Sequence, residues 1–93
     1  MIIGILQATW SIPEANSLKD KRQIIKSMKD RIVARMNVSV AETGKQDIWK
    51  GCEFTFVTVG AEKKIVEKRI AKLSDYVRSN PRLVLMDIST RYL

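Results

Sequence analysis

The sequence predicts an α+β domain in which two helices lie on one face of a four-stranded antiparallel sheet. Four apolar runs alternate with period two and two others repeat at helical spacing, in the order strand, helix, strand, strand, helix, strand. Size sets the second constraint. With 93 residues, of which 45% are hydrophobic and 29% charged, the chain suits one globular domain, residues 1–93, with too little surface for a second core.

The first strand spans Ile2 to Ile12, with Ile2, Leu6, Ala8, Trp10 and Ile12 on its core side and Gln7, Thr9 and Ser11 on the other, and Pro13 closes it. Ser17, with Asp20 three residues on, forms a capping-box pattern that satisfies orphan amides at a helix start. Leu18, Ile24, Ile25, Met28, Ile32 and Met36 then recur at helical spacing, and Asn37 is the expected left-handed cap. Val38 to Val40 reads as a short strand, and Thr43 to Asp47 as a hairpin loop. Ile48 to Val59 alternates again, placing Cys52, Phe54 and Phe56 inward and Glu53 and Thr55 outward. Beyond Gly60, Ile65, Val66, Ile70, Leu73 and Val77 mark the second helix, which Pro81 stops because a residue before proline is pushed out of helical conformation. Val84, Met86, Ile88 and Tyr92 give the last strand. This order is the split βαβ plait, the ferredoxin-like fold.

Composition narrows the function. The absence of histidine and the single cysteine remove most metal sites, the Cys–His and Ser–His nucleophile pairs and any internal disulfide. The four glycines form no phosphate loop. Glu42 and Asp47 flank the hairpin loop, but a hard cation usually needs more converging carboxylates, so they read as a solvated turn. Cys52 reads as a small buried hydrophobe, and Met28, Met36 and Met86 as core fillers. No catalytic residue, metal or cofactor is expected, which describes a binding protein and not an enzyme. The run Met1 to Leu6 lacks the basic lead and cleavage pattern of a signal peptide, and no window reaches the roughly 18 uncharged apolar residues that span a bilayer. A cytoplasmic protein without a membrane partner is expected.

The formal charge of +7 is concentrated in the helices. Residues 18–37 hold seven basic and two acidic groups and residues 61–80 six and three, while all other segments hold four and five. On the predicted fold both helices lie on one side, which becomes electropositive. Lys19, Arg22, Lys26 and Lys29, spaced 3, 4 and 3 apart, fall within roughly 80° of arc. Such a row sets cations about 5–6 Å apart, close to the phosphate repeat of a nucleic-acid strand, at a cost of a few tenths of a kcal/mol per like-charge pair. These four are the candidate nucleic-acid contacts; a solvated helix face is the plainer alternative. Glu67 and Asp75 interrupt any comparable row on the second helix.

The sheet is a poor base-reading platform, because Trp10, Phe54 and Phe56 share core parity and only Trp49 points outward, near a strand start where packing is the plainer role. Ile3 and Ile5, however, should neighbour Val57 and Val59 on the outward face if the first and third strands pair antiparallel. A contiguous aliphatic patch commonly marks an interface, so a homodimer joined through these four residues is expected.

Three segments carry a family likeness: Ser17-Leu18-Lys19-Asp20-Lys21-Arg22, Asn37-Val38-Ser39-Val40-Ala41-Glu42 and Gln46-Asp47-Ile48-Trp49. Together, at these separations, they make the chain resemble the YlxP-like family of short bacterial proteins over essentially its whole length. Where that family often has histidine before the serine, this chain has Asn16. The resemblance implies a ferredoxin-like fold, an activity not established, and genes that often lie beside those for translation initiation and ribosome maturation factors. It adds weight to an RNA role for Lys19, Arg22 and Lys26. The resulting expectation is a non-enzymatic RNA- or ribosome-associated protein, active in translation or ribosome maturation, that meets phosphates through its basic helical face. The alternative is a protein-interaction adaptor or homodimer using the apolar sheet face.

Overall fold

The computed structural model describes residues 1–93, with β1 (Ile2–Ser11), α1 (Leu18–Arg35), β2 (Ser39–Gly44), β3 (Gly51–Gly60), α2 (Lys63–Arg78) and β4 (Val84–Tyr92) in chain order. The strands form one antiparallel sheet in the order β2-β3-β1-β4, with both helices on one face, which is the ferredoxin-like plait. The molecule is elongated, 43 × 21 × 17 Å.

Burial follows the alternation of the strands. Leu6, Ala8 and Trp10 of β1 face Phe56, Phe54 and Cys52 of β3 directly across the ladder, and all six are closed to solvent. Trp10 packs edge-on to Phe54 and Phe56, with ring centroids 6.0 and 6.4 Å away, and its indole N–H donates to Val77 O at 2.9 Å. That bond gives the one polar atom of the ring a partner inside the core and ties β1 to the end of α2. Along α2, Val66, Ile70, Leu73 and Val77 recur at 4, 3 and 4 residues and bury one stripe against β1 and β3. The start of α1 is capped as predicted: Ser17 Oγ accepts from Asp20 N–H at 3.1 Å, while the Asp20 carboxylate accepts from Asn16 N–H at 3.0 Å.

Three local expectations are corrected. Asn37 is not a left-handed cap: the helix closes with Met36 N–H on Ile32 O and the backbone turns extended at Met36, straight into the approach to β2. The only residue with positive φ is Lys45, at 58°, in the turn between β2 and β3. Ile48, Trp49 and Lys50 belong to that connection and not to β3, and Trp49 is 51% exposed. In β4 the register against β1 shifts between Thr9 and Trp10, so Leu85 opposite Trp10 takes the inward position. Met86, expected in the core, is 66% exposed, and Val84 is exposed as well. No helix is long and apolar enough to cross a membrane.

Candidate polyanion-binding face

The inward stripe of α1 is Lys21, Ile24, Met28 and Ile32, spaced 3, 4 and 4. That orientation leaves Lys19, Arg22, Lys26 and Lys29 exposed on the outside of the helix. Arg22, Lys26 and Lys29 share the lining of one shallow groove of about 270 Å³ with Ile25, Glu42 and Phe54, on the β2 side of α1; Lys19 lies outside it, at the helix start. Lys26 Nζ donates to Asp30 Oδ2 at 2.6 Å, one turn on. Acceptance of that bond by the Asp30 carboxylate, and then its charge, hold the Lys26 ammonium above its ordinary value. Both partners are well exposed, so the pair lowers local potential more than it stabilises the fold. Lys19, Arg22 and Lys29 have no carboxylate within ion-pair distance.

Lys21 behaves differently from its neighbours. It is 1% exposed, and its ammonium is surrounded by Lys45 O at 2.6 Å, Ile48 O at 2.8 Å, Gln46 O at 3.3 Å and Glu42 Oε2 at 2.9 Å. Three protons face four oxygens. The carbonyls take the hydrogen bonds, and Glu42 Oε2, shut off from solvent, is left with charge attraction alone. The lysine thereby fastens the connection between β2 and β3 to α1, including the carbonyl of the left-handed Lys45. Glu42 is committed to this pair and is therefore neither a free cation ligand nor part of a solvated turn, whereas Asp47 is exposed in the connection, as a solvated turn requires. Cys52, nearby, is fully buried, and burial pushes its thiol up to about 12, with Lys21 pulling in the opposite direction.

On the uncovered sheet face Ile3 pairs with Val59 and Ile5 with Val57 across β1 and β3, so the four aliphatics are adjacent. Val57 and Val59 are exposed and Ile3 and Ile5 half-buried. The exposed Leu93 extends the patch, exchanging both backbone hydrogen bonds with Ile3. Further along the face Thr43, Glu53, Thr55 and Gln7 form a hydrogen-bonded polar cluster that ends the patch.

The model of a family described as "Protein of unknown function (DUF503)" matches residues 3–90. The chain belongs to this family. The "Uncharacterized protein YlxP" of Bacillus subtilis (strain 168) is 30% identical over 82 residues, covering 88% of this chain and 89% of that protein. A crystal structure of a protein put forward as a chlorite dismutase superposes with a TM-score of 0.52 at 10% identity, covering 99% of this chain. The chain spans only 44% of that protein's length, and at this identity the likeness concerns the fold alone.

In this DUF503 chain the electropositive side is split. Of the seven basic residues at 18–37, Lys21 is buried and Lys26 is paired, and the exposed ridge turns toward β2. A second basic groove opens where the end of α1 meets α2, lined by Arg35, Lys68, Arg69 and Lys72. The acidic interruption by Glu67 and Asp75 does not reach it. Two signals for these features were present in the sequence. Lys21 fills the gap in the apolar series between Leu18 and Ile24, and Lys68 and Lys72 are one turn apart.

Proposed function

We propose that this DUF503 chain is a non-enzymatic RNA- or ribosome-associated module that docks on phosphates through Lys19, Arg22, Lys26 and Lys29, in the translational setting its family resemblance implies. One observation carries the reading: four exposed cations stand in a row along one side of α1, and only Lys26 has a carboxylate partner. Contact through charge, with no aromatic ring among the four side chains, gives weak sequence preference. Neutralising about four phosphates makes the logarithm of affinity fall with log salt at a slope of about −3 to −4.

Fluorescence anisotropy with a labelled RNA oligonucleotide across a salt series tests it. Replacing the four side chains with glutamine should flatten the slope while circular dichroism stays unchanged. Wild-type RNA affinity in that folded variant would refute the reading.

The adjacency of Ile3, Ile5, Val57 and Val59 favours a second reading, a homodimer or adaptor that meets its partner through the sheet face. Such binding is insensitive to salt. Sedimentation of a monomer at micromolar concentration would remove the homodimer.

A further inference from the structure

The groove between the end of α1 and the middle of α2 has a volume of about 350 Å³ and six lining residues: Arg35, Met36, Asn37, Lys68, Arg69 and Lys72. Four are cationic, none is acidic, and none of the four cations takes part in an ion pair. This separates it from the ridge on the other side of α1, whose groove includes Glu42 and whose Lys26 is shared with Asp30.

The groove is also built from the core outward. Thr58, 3% exposed, is the one polar side chain on the inward face of β3. Its hydroxyl donates to Asn37 O at 2.9 Å and accepts from Arg69 Nη1 at 2.6 Å, and the same nitrogen donates to Val59 O at 3.1 Å. One buried hydroxyl therefore fixes both walls: the chain leaving α1 and the guanidinium on α2. Nη1 of Arg69 is committed to these bonds, while its other N–H donors remain for a ligand in a fork that needs no further ordering. On the opposite wall the Arg35 guanidinium rests 5.4 Å from the Tyr76 ring centroid. Lys68 and Lys72, one turn apart and exposed, repel each other slightly, a cost that a bound anion reverses. The dipole at the end of α1 contributes only about half an elementary negative charge, which four cations outweigh.

We propose that this groove binds a polyphosphate chain, inorganic or as the triphosphate of a nucleotide, recognised by its charge and not by its base. A terminal phosphate carries about −1.5 to −2 near neutral pH, so four cations match two or three linked phosphate groups. The volume lies at the small end of ligand sites, roughly 300–1,000 Å³, and the lining contains no aromatic ring on which a base would stack. This inference does not rest on the RNA reading, since it uses none of Lys19, Arg22, Lys26 or Lys29.

The test is a titration of ¹⁵N-labelled protein with sodium tripolyphosphate, ATP and CTP at constant ionic strength, with sulfate as the control anion. Saturable amide shifts are expected around residues 35–37 and 68–72, with dissociation constants for the three ligands within about twofold of one another. Lys68→Gln/Lys72→Gln, at exposed positions that leave the Thr58 network intact, should weaken tripolyphosphate binding at least about tenfold, while Arg22→Gln/Lys26→Gln/Lys29→Gln leaves it unchanged. Shifts spread over every basic residue without saturation, equal response to sulfate, or wild-type affinity in Lys68→Gln/Lys72→Gln would overturn the proposal. A strong preference for one nucleotide would overturn its base-blind part. Loss of RNA binding in the α1 variant with tripolyphosphate binding retained would separate the two sites.

Discussion

Replacing Lys21 with methionine keeps an unbranched side chain, one atom shorter, and removes its charge. The Glu42 carboxylate is then left beside an apolar group with Oε2 closed to solvent, and the carbonyls of Lys45, Gln46 and Ile48 lose their common donor. Removing one partner of a buried pair costs about 3–5 kcal/mol. Glu42 retains 20% side-chain exposure, so water relieves part of this, and the lower end, about 3 kcal/mol, is expected. For 93 residues total stability is on the order of 5–14 kcal/mol, so the substitution removes a fifth to more than half of it. The melting temperature should fall by about 12–24 °C. Glu42→Gln should be milder, about 1 kcal/mol, because the three ammonium protons still have three carbonyl acceptors. The double variant should then cost less than the sum of the two by about 1 kcal/mol or more. Urea unfolding followed by far-ultraviolet dichroism measures all three, and hydrogen exchange at residues 45–50 reports release of the connection. A loss below about 1 kcal/mol in Lys21→Met, or additive single effects, would refute the account of Lys21 as an anchor.

Two more predictions concern the core. Cys52 should resist thiol reagents in the native state, and because its folded-state value is raised to about 12 from an ordinary 9.0, the unfolded chain releases the proton first as pH rises. Stability should therefore fall between about pH 9 and 12 by up to about 1.4 kcal/mol per pH unit, and denaturant titrations of Cys52→Ala should show a shallower decline; parallel declines would refute it. At Gly4 a Cβ would stand 2.8 Å from Val66 Cγ1 and 3.0 Å from Ile70 Cγ1, so Gly4→Ala should force α2 away from β1 and cost about 1–3 kcal/mol, read as a lower melting temperature. An unchanged melting temperature would show that α2 has room to move.

The order of elements and the sheet face of most residues were legible because alternation and helical spacing are local properties that the core merely accepts. Leu6, Ala8, Trp10, Cys52, Phe54 and Phe56 all lie where parity puts them. The failures are places where a tertiary contact decides. Asn37 forgoes the left-handed conformation because its carbonyl is held by Thr58 from a strand 21 residues away. Met86 faces out because β4 slips by one residue against β1, a shift invisible in the alternation of β4 itself. Lys21 hid behind its charge: residue type argued for the surface while its spacing from Ile24 and Met28 argued for the interior. The Asp30 partner of Lys26 was readable at one helical turn, whereas the groove of Arg35, Lys68, Arg69 and Lys72 depends on how two helices meet, which no single segment encodes.

Both rims of the sheet carry an irregularity: β4 slips against β1 near Trp10, and β2 slips against β3 between Glu42 and Gly44. A kinked rim presents its unpaired amides and carbonyls at uneven intervals, so another molecule's extended chain finds only four regular residues on β2, Ser39 to Glu42, and six on β4, Asp87 to Tyr92. Fibrous growth by strand addition is thereby hampered most along β2, although the valines and isoleucines of this chain would otherwise favour it. The slips therefore guard the shorter rim more closely than the longer one.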